Sequence, residues 1–284
     1  MDSDLKKFWT KLLESSIKFE ASTSIIIQGP LHARMKDSIP QYLDIVKRYQ
    51  HKIKKLKNNP YSKESLKGNL IISYWENDNE SIIKEYKDNE DIVFIKNKFS
   101  DIKNTPTRKT YRGAAPWAYQ NYSCLQGCKA SSGHLCVKTR SDEFYPSLSK
   151  FIDYMIRENE ANPSMPFVTC NIYARKDSIE KFHPSDHIIG STTNRMLNGF
   201  RESYNKSQSK THPSIKFPEQ LICRSLLNSI GVEDKDYKSA KIMKEYFRIY
   251  PIKNMPNSTW TCSNSGYKAL SNPEPGWIDS IDDI

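Results

Sequence analysis

The chain has 284 residues, which is enough to bury the core of one large domain or of two small ones. Its 16 Tyr, 11 Phe and 5 Trp exclude a disordered protein, because disordered chains are poor in aromatic residues. The formal net charge of +10 favours an anionic partner but does not identify it.

The sequence predicts a soluble protein of the cytoplasm. It shows no N-terminal signal-peptide pattern and no apolar run long enough to cross a bilayer. Of its six cysteines only Cys124 and Cys128 lie close together, and no second pair completes a zinc site. Such cysteines favour a reducing compartment. The lysine-rich amphipathic segments leave peripheral contact with an acidic membrane open.

The first strand of the pattern is built on three consecutive isoleucines, Ile25 to Ile27. A run of this kind is typical of a strand buried on both faces, and therefore of a parallel sheet with helices on either side. The Gly29-Pro30 pair that follows forces a turn at the end of the strand. Arg34 comes just after the turn, within reach of a bound phosphate.

Helices and strands alternate along the rest of the chain. The apolar patterns predict helices over residues 5–17, 39–56, 81–87, 117–129, 146–158 and 217–231, and strands over 24–31, 70–76, 92–95, 135–140, 167–173 and 246–250. We expect polar loops over 97–116 and 198–212. The alternation predicts an α/β fold built from right-handed βαβ units, with a mostly parallel central sheet flanked by helices.

An acidic tip follows the strand at 135–140, where Asp142 and Glu143 precede a helix start at Pro146. A strand, an acidic tip and a helix in this order place a metal- or phosphate-handling carboxylate at the carboxyl edge of an α/β sheet. A solvated turn has the same pattern. These residues alone therefore leave both interpretations open.

Two further segments carry side chains suited to acid–base chemistry. His183, Asp186 and His187 lie within five residues. This cluster could be a set of metal ligands, an acid–base pair or a hydrogen-bonded turn. Glu219 follows Pro218 in the first turn of a predicted helix, where it either favours the helix dipole or points into a site.

Short blocks of the sequence carry a family resemblance. The blocks are Ile25-Ile26-Ile27-Gln28-Gly29-Pro30, Ile71-Ile72-Ser73-Tyr74-Trp75-Glu76, Val137-Lys138-Thr139-Arg140-Ser141-Asp142, Phe182-His183-Pro184-Ser185-Asp186-His187 and Pro218-Glu219-Gln220. In this order they resemble the WavE lipopolysaccharide-synthesis family. The resemblance covers roughly Ser24 to Gly231 and leaves both ends of the chain unaccounted for.

The resemblance implies a glycosyltransferase of the GT-A type, in which one α/β domain holds a nucleotide-diphospho-sugar. We expect that domain over residues 22–250, an amphipathic helix within 1–21 packed on it, and a C-terminal extension over 251–284. Enzymes of this type often hold Mn²⁺ or Mg²⁺ under the diphosphate, on the last Asp of an Asp-x-Asp motif that ends a strand.

Arg140-Ser141-Asp142 stands in the place of that motif. Asp142 matches the metal-binding position, and Glu143 is a substitute ligand. Arg140 replaces the first Asp, which leaves metal dependence open because an arginine can itself neutralise diphosphate charge.

The resemblance and the chemistry together define a set of candidate residues. The donor-binding candidates are Gln28, Gly29, Arg34, Trp75, Arg112, Lys138 and Arg140. An inverting enzyme needs a carboxylate to take the proton of the acceptor hydroxyl. We prefer Asp186, in its polar loop, to Glu219, and His183 would tune or orient it. A retaining mechanism needs no such base and stays open.

These patterns predict transfer of a sugar from a nucleotide-diphosphate donor, with UDP as first expectation, to the hydroxyl of a glycan or lipid-linked acceptor. The setting would be synthesis of surface polysaccharide or glycoprotein glycans. A nucleotidyl- or phosphosugar transferase on a similar fold is the first alternative. A non-catalytic basic binding module is the second. We expect no nucleic-acid partner, because aromatic residues do not interleave with the cations.

Overall fold

The structure is a computed structural model that describes residues 22–54, 68–102, 109–110, 113–114, 117–162, 167–208, 215–262 and 266–268. The helix predicted over 5–17, Arg112 and the last 16 residues of the predicted extension, 269–284, lie outside the described residues.

Eleven strands and six helices are present in the described part of the chain. The strands are β1 (Thr23–Gln28), β2 (Leu70–Trp75), β3 (Ile92–Asn97), β4 (Lys109–Thr110), β5 (Gly113–Ala114), β6 (Leu135–Arg140), β7 (Phe167–Cys170), β8 (Ile189–Thr192), β9 (Phe247–Tyr250), β10 (Trp260–Cys262) and β11 (Gly266–Lys268). The helices are α1 (Met35–Lys54), α2 (Trp117–Ala130), α3 (Leu148–Ala161), α4 (Thr193–Ser207), α5 (Pro218–Asn228) and α6 (Ser239–Tyr246).

A seven-stranded sheet forms the centre of the fold, with its strands in the order β3-β2-β1-β6-β8-β7-β9. β1 pairs in parallel with both β2 and β6, β2 with β3, and β7 with β9. Only β8 runs against its neighbours in this sheet, β6 and β7. The predicted α/β fold with a mostly parallel sheet flanked by helices is confirmed.

Alternate side chains of β1 serve two separate hydrophobic cores. Ile25 and Ile27 pack in one core with residues of α1 and α3, such as Tyr42 and Phe151. Ile26 faces the other core, which α2, α4 and α5 cover. Because both faces of β1 are buried, polar residues do not alternate with the isoleucines, as expected for a central parallel strand.

The prediction of a polar loop over 198–212 is wrong for residues 198–207, which belong to α4, and residues 209–212 lie outside the described residues. Met196, Gly199, Phe200 and Ser203 repeat at helical spacing on its buried face. Two of these four are small, so the apolar signal in the sequence is weak. Gly199 lies where an added Cβ would come within 2.3 Å of a Leu226 side-chain carbon in α5. The small residue therefore allows the two helices to pack closely.

Other predicted elements need smaller corrections. The helix predicted over 81–87 is two short 3₁₀ turns, Glu80–Ile82 and Lys84–Tyr86. The pattern did not indicate β8 or α6.

The five cysteines whose side chains are described are free thiols and buried. Every helix in the described ranges is too short or too polar to span a bilayer.

Gly127→Ala is expected to destabilise the fold by about 1–3 kcal/mol, although alanine normally favours a helix. An added Cβ would lie 2.5 Å from Cγ2 of Ile26 in β1. Urea denaturation of Gly127→Ala, Ile26→Ala and the double variant measures the effect. The double variant should be more stable than the sum of the single losses predicts, since Ile26→Ala removes the clash. Additive losses, or a stabilised Gly127→Ala, would contradict this packing.

Candidate active site

The candidate site lies at the carboxyl edge of the sheet, where β1, β2 and β6 end side by side. Gln28 at the end of β1 pairs in register with Ser73 of β2 and with Arg140 of β6. Gly29 follows with a φ of +118°, and an added Cβ there would lie 2.8 Å from Oγ of Ser141. Glycine therefore lets the turn after β1 approach the acidic tip.

Arg140 and Asp142 form a two-pronged ion pair at this edge. The Arg140 Nε and Nη2 atoms donate to the two Asp142 carboxylate oxygens at 3.1 and 2.9 Å. The side chains are 30% and 26% exposed, so the pair is open to solvent. A paired guanidinium and carboxylate in this position can exchange partners with a diphosphate and its counter-ion.

Glu143 lies behind this pair and is completely buried. Tyr145 donates its hydroxyl to Glu143 Oε2 at 2.6 Å, and Nδ1 of His187 lies 2.5 Å from Oε1. Nε of Arg140 is 3.2 Å from the same Oε1. Both carboxylate oxygens are thus engaged by the protein, and Glu143 links the end of β6 to the segment that contains His187.

That segment, residues 171–188, also holds the candidate side chains of His183 and Asp186 in a constrained loop. Tyr173 and Phe182 have φ values of +57° and +53°, which are strained for residues with a Cβ. The Arg175 amide donates to the His183 carbonyl at 3.0 Å across the loop. The Arg224 guanidinium lies 4.4 Å from the centre of the Phe182 ring. Strain of this kind often accompanies functional sites.

Asp186 is held as an anion by groups from three elements. Gln120 of α2 donates to its Oδ2 at 2.5 Å, and the fully buried Lys138 of β6 donates to its carbonyl oxygen. Burial alone would raise the pKa of Asp186, but the charges of Lys138, His187 and Arg140 outweigh it and hold the pKa well below its usual range.

Glu219 has the opposite electrostatic environment. Burial and the negative charge of Asp186 raise its pKa to about 7. Its Oε2 lies 3.8 Å from Nε2 of His183, and its side chain is 16% exposed. Burial and the charge of Arg175 lower the pKa of His183 to about 4, so this imidazole is neutral at pH 7. Two neighbouring carboxylates with widely separated pKa values are a common basis of acid–base chemistry.

The remaining predicted donor residues have varied surroundings. Arg34 donates to the Thr259 hydroxyl, beside the point where Thr259 pairs with Phe144 after the acidic tip. Trp75 is buried at the end of β2, stacked on Phe99 with ring centres 4.9 Å apart. Of the predicted donor residues, the structure thus brings Gln28, Gly29 and Arg140 together, whereas Trp75 and Lys138 are packed inside.

Four participants were not among the predicted site residues: Gln120, Tyr145, Arg175 and His187. His187 stood in a quoted block, so its position was visible in the sequence. Gln120 lies 66 residues before Asp186, and nothing in its local pattern marks it.

At the acidic tip, Asp142 is the partly exposed carboxylate and therefore the candidate metal ligand. Across the described ranges, no group of three or more His, Cys, Asp and Glu side chains is arranged to hold a metal ion. Asp142 offers one partly exposed carboxylate, whose two oxygens accept from Arg140, and Glu143 is buried with both oxygens engaged. One protein carboxylate suits Mg²⁺ or Mn²⁺ when substrate phosphates supply further ligands. The residues therefore fit a metal that arrives with a diphosphate.

Comparisons with known proteins give distant structural likenesses. A cytidylyltransferase from Leptospira borgpetersenii covers 93% of this chain and 83% of its own, at 17% identity and a TM-score of 0.36. Mouse xyloside xylosyltransferase 1 covers 81% and 86%, at 10% identity and a TM-score of 0.36. Glucosyl-3-phosphoglycerate synthase from Mycobacterium tuberculosis covers 78% and 84%, at 11% identity and a TM-score of 0.35.

No protein-family model and no curated protein matches the chain. The resemblance to the WavE family therefore stays a prediction. Structural likenesses with these TM-scores assign neither a family nor an activity, so the function has to be inferred from the site itself.

Glu219→Gln is expected to stabilise the protein at pH 8 but not at pH 4. The pKa of Glu219 rises from its ordinary 4.5 to about 7 on folding, so the folded state holds this proton more tightly. The linked stability is complete below the unfolded pKa and is lost as pH rises through about 7. Glutamine carries no charge and removes a cost of up to about 3 kcal/mol above that pH.

Chemical denaturation at pH 4, 6 and 8 tests this, with Glu202→Gln on the exposed side of α4 as the control. The gain for Glu219→Gln should grow from pH 4 to pH 8. A gain that is the same at all three values, or a loss at pH 8, would show that the carboxylate is not buried at a cost.

Proposed function

We propose that the protein is a glycosyltransferase of the GT-A type, which moves a sugar from a nucleotide-diphospho-sugar to an acceptor hydroxyl. The observation that carries the proposal is the carboxylate pair of Asp186 and Glu219, one kept anionic and one with a pKa of about 7. Both interact electrostatically with Arg140, the residue paired to Asp142 at the end of β6. The site thus combines a carboxylate that can act as a base with an arginine, Arg140, that can bind a diphosphate.

On the donor side, the diphosphate would lie against Arg140 and the turn at Gly29, with Arg34 close to the same edge. Charge builds on the leaving diphosphate as the sugar departs, and fixed cations stabilise it best where water is excluded. Gln28 would contact the uncharged part of the nucleotide, for which UDP is the first expectation. Arg112 keeps its predicted donor role, and Trp75 and Lys138 would support the site by packing.

A divalent metal, Mn²⁺ or Mg²⁺, would be held by Asp142 together with the donor phosphates. When bound, it would neutralise part of the diphosphate charge. Arg140, which pairs with Asp142 in this structure, would bind a phosphate oxygen of the donor. Glu143 would not bind the metal itself but would keep Arg140 in place through the contact with its Nε atom.

Glu219 would take the proton from the acceptor hydroxyl. Its pKa near neutrality suits a general base, because a large fraction of Glu219 is ionised around pH 7 and the carboxylate is still basic enough to accept the proton. The hydroxyl oxygen forms the new bond to the sugar as the bond to the diphosphate breaks, which inverts the anomeric carbon. Neutral His183 would help to orient the hydroxyl.

Asp186 is less suited to this role than the sequence suggested. Its depressed pKa makes it a weak base, and Gln120 already occupies one carboxylate oxygen. Its fixed negative charge would instead raise the pKa of Glu219 and stabilise positive charge that develops on the sugar ring.

The biological setting follows from the resemblance to the WavE family, which supports synthesis of lipopolysaccharide or of another surface or protein-linked glycan. The acceptor would then be a glycan or lipid-linked, and the location cytoplasmic with possible peripheral contact to a membrane. Nucleotidyl transfer on a similar fold would use the same acidic tip, and the products distinguish the two reactions.

A UDP-sugar is expected to raise the melting temperature of the protein, and more with Mn²⁺ than with EDTA, because ligands that bind only the native state stabilise it by mass action. Asp142→Asn should lose the metal enhancement, whereas Asp88→Asn, at an exposed position, should keep it. A thermal-shift panel of UDP-, GDP-, CMP- and dTDP-sugars measures this. The products that the protein forms from the donor distinguish the two reactions, and free sugar with nucleoside diphosphate would indicate glycosyl transfer. Stabilisation by no nucleotide sugar, or release of pyrophosphate, would contradict the proposal.

Glu219→Gln should lower kcat by about 10²–10⁴-fold, since glutamine cannot accept a proton. In the wild type, kcat/KM should rise with pH through about 7, as Glu219 loses its proton. Steady-state rates between pH 5 and 9 measure both effects, and Glu202→Gln serves as the control for loss of one carboxylate. Full activity of Glu219→Gln, or a pH profile that is flat around 7, would exclude Glu219 as the base.

A further inference from the structure

Three buried polar atoms beside the proposed base have no hydrogen-bond partner among the described residues. They are Nε of Arg175, Nδ1 of His183 and Oε2 of Glu219. Buried polar atoms in native proteins are nearly always paired, so unpaired atoms at one place need an explanation. A ligand that supplies the missing partners is the simplest one at an active site.

The three residues lie together in space. The Arg175 backbone amide donates to the His183 carbonyl at 3.0 Å, and the charge of the Arg175 guanidinium acts on the His183 imidazole. Nε2 of His183 lies 3.8 Å from Oε2 of Glu219. His183 is only 5% exposed. Phe217, just before α5, meets the His183 ring edge-on, with ring centres 5.3 Å apart. The arrangement combines one cation, one neutral imidazole and one carboxylate beside an apolar wall.

The positive charge of Arg175 indicates that the ligand at this place is an anion. Other arginines near the fold's interior have carboxylate partners: Arg140 with Asp142, Arg224 with Asp234, and Arg248 with Glu158. No carboxylate of the described chain forms an ion pair with Arg175. A partly buried guanidinium is best satisfied by a planar or tetrahedral oxyanion that accepts its forked hydrogen bonds.

We propose that the acceptor carries an oxyanion, a phosphate or a carboxylate, which binds Arg175 while the reactive hydroxyl lies at His183 and Glu219. The hydroxyl would donate its one hydrogen to Glu219 Oε2 and accept from His183 in the tautomer that carries its proton on Nδ1. Together with the oxyanion on Arg175 Nε, it would pair the three unpartnered atoms. The role of the hydroxyl rests on the proposed function. The oxyanion site does not, because it follows from Arg175 alone.

The site is tested by binding of inorganic phosphate, acetate, glucose 6-phosphate, glucuronate and glucose at constant ionic strength, measured by isothermal titration calorimetry. The variants are Arg175→Gln, Arg140→Gln on the donor side, and Arg201→Gln as a matched exposed control on α4. The probes separate phosphate from carboxylate, and the charged sugars from neutral glucose.

Glucose 6-phosphate or glucuronate should bind the wild type more tightly than glucose does. Arg175→Gln should weaken that binding by at least about tenfold, because a charge-assisted forked contact is lost. Arg201→Gln should leave it unchanged. Equal binding to Arg175→Gln and wild type, binding that only Arg140→Gln weakens, or no binding of any anionic probe would overturn the inference.

The outcome is independent of the donor reaction. If no nucleotide sugar binds but glucose 6-phosphate still depends on Arg175, then the proposed function fails and the oxyanion site stands. If a nucleotide sugar binds equally to wild type and Arg175→Gln while anion binding ignores Arg175, then the donor site stands and the acceptor inference fails.

Discussion

The buried carboxylate of Glu143 is the interaction on which the candidate site depends. A carboxylate without water contact is stable only if protein groups replace its hydration. Here three donors do so, Arg140 at the end of β6, Tyr145 after the acidic tip and His187 from the loop over 171–188. Neither the strand end nor the loop can move away without leaving this charge unpaired. One buried charge thereby sets the position of both halves of the site.

With that geometry fixed, the two buried carboxylates of Asp186 and Glu219 acquire different pKa values from their surroundings. Asp186 receives stabilisation from Lys138, His187, Arg140 and Gln120, which outweighs its burial. Glu219 is buried near the negative charge of Asp186, and the positive charges around it compensate only in part, so its pKa rises to about 7. Above pH 7 the site thus holds an ionised Glu219 at a cost in stability, which proteins commonly accept where a reactive group is needed.

The sequence revealed much of the fold, because β1, β2 and β6 are buried on both faces and each contains a run of three apolar residues, Ile25–Ile27, Leu70–Ile72 and Leu135–Val137. The acidic tip was also visible, since Asp142 and Glu143 come just after the end of β6 at Arg140. The choice between Asp186 and Glu219 could not be made locally: Lys138 and Gln120 act on Asp186 from 48 and 66 residues away. Helix α4 was missed for a related reason, as small residues that fit only against α5 carry its buried face.

The most direct test of the account is the titration of Glu219 itself. The side-chain carboxyl ¹³C signal of Glu219, assigned by its absence in Glu219→Gln, can be followed from pH 4 to 9 in the wild type and in Asp186→Asn. The account predicts a midpoint near 7 in the wild type, and a lower midpoint in Asp186→Asn because the neighbouring negative charge is gone. A midpoint near the ordinary 4.5 in both proteins would contradict the pairing of carboxylates on which the proposed chemistry rests.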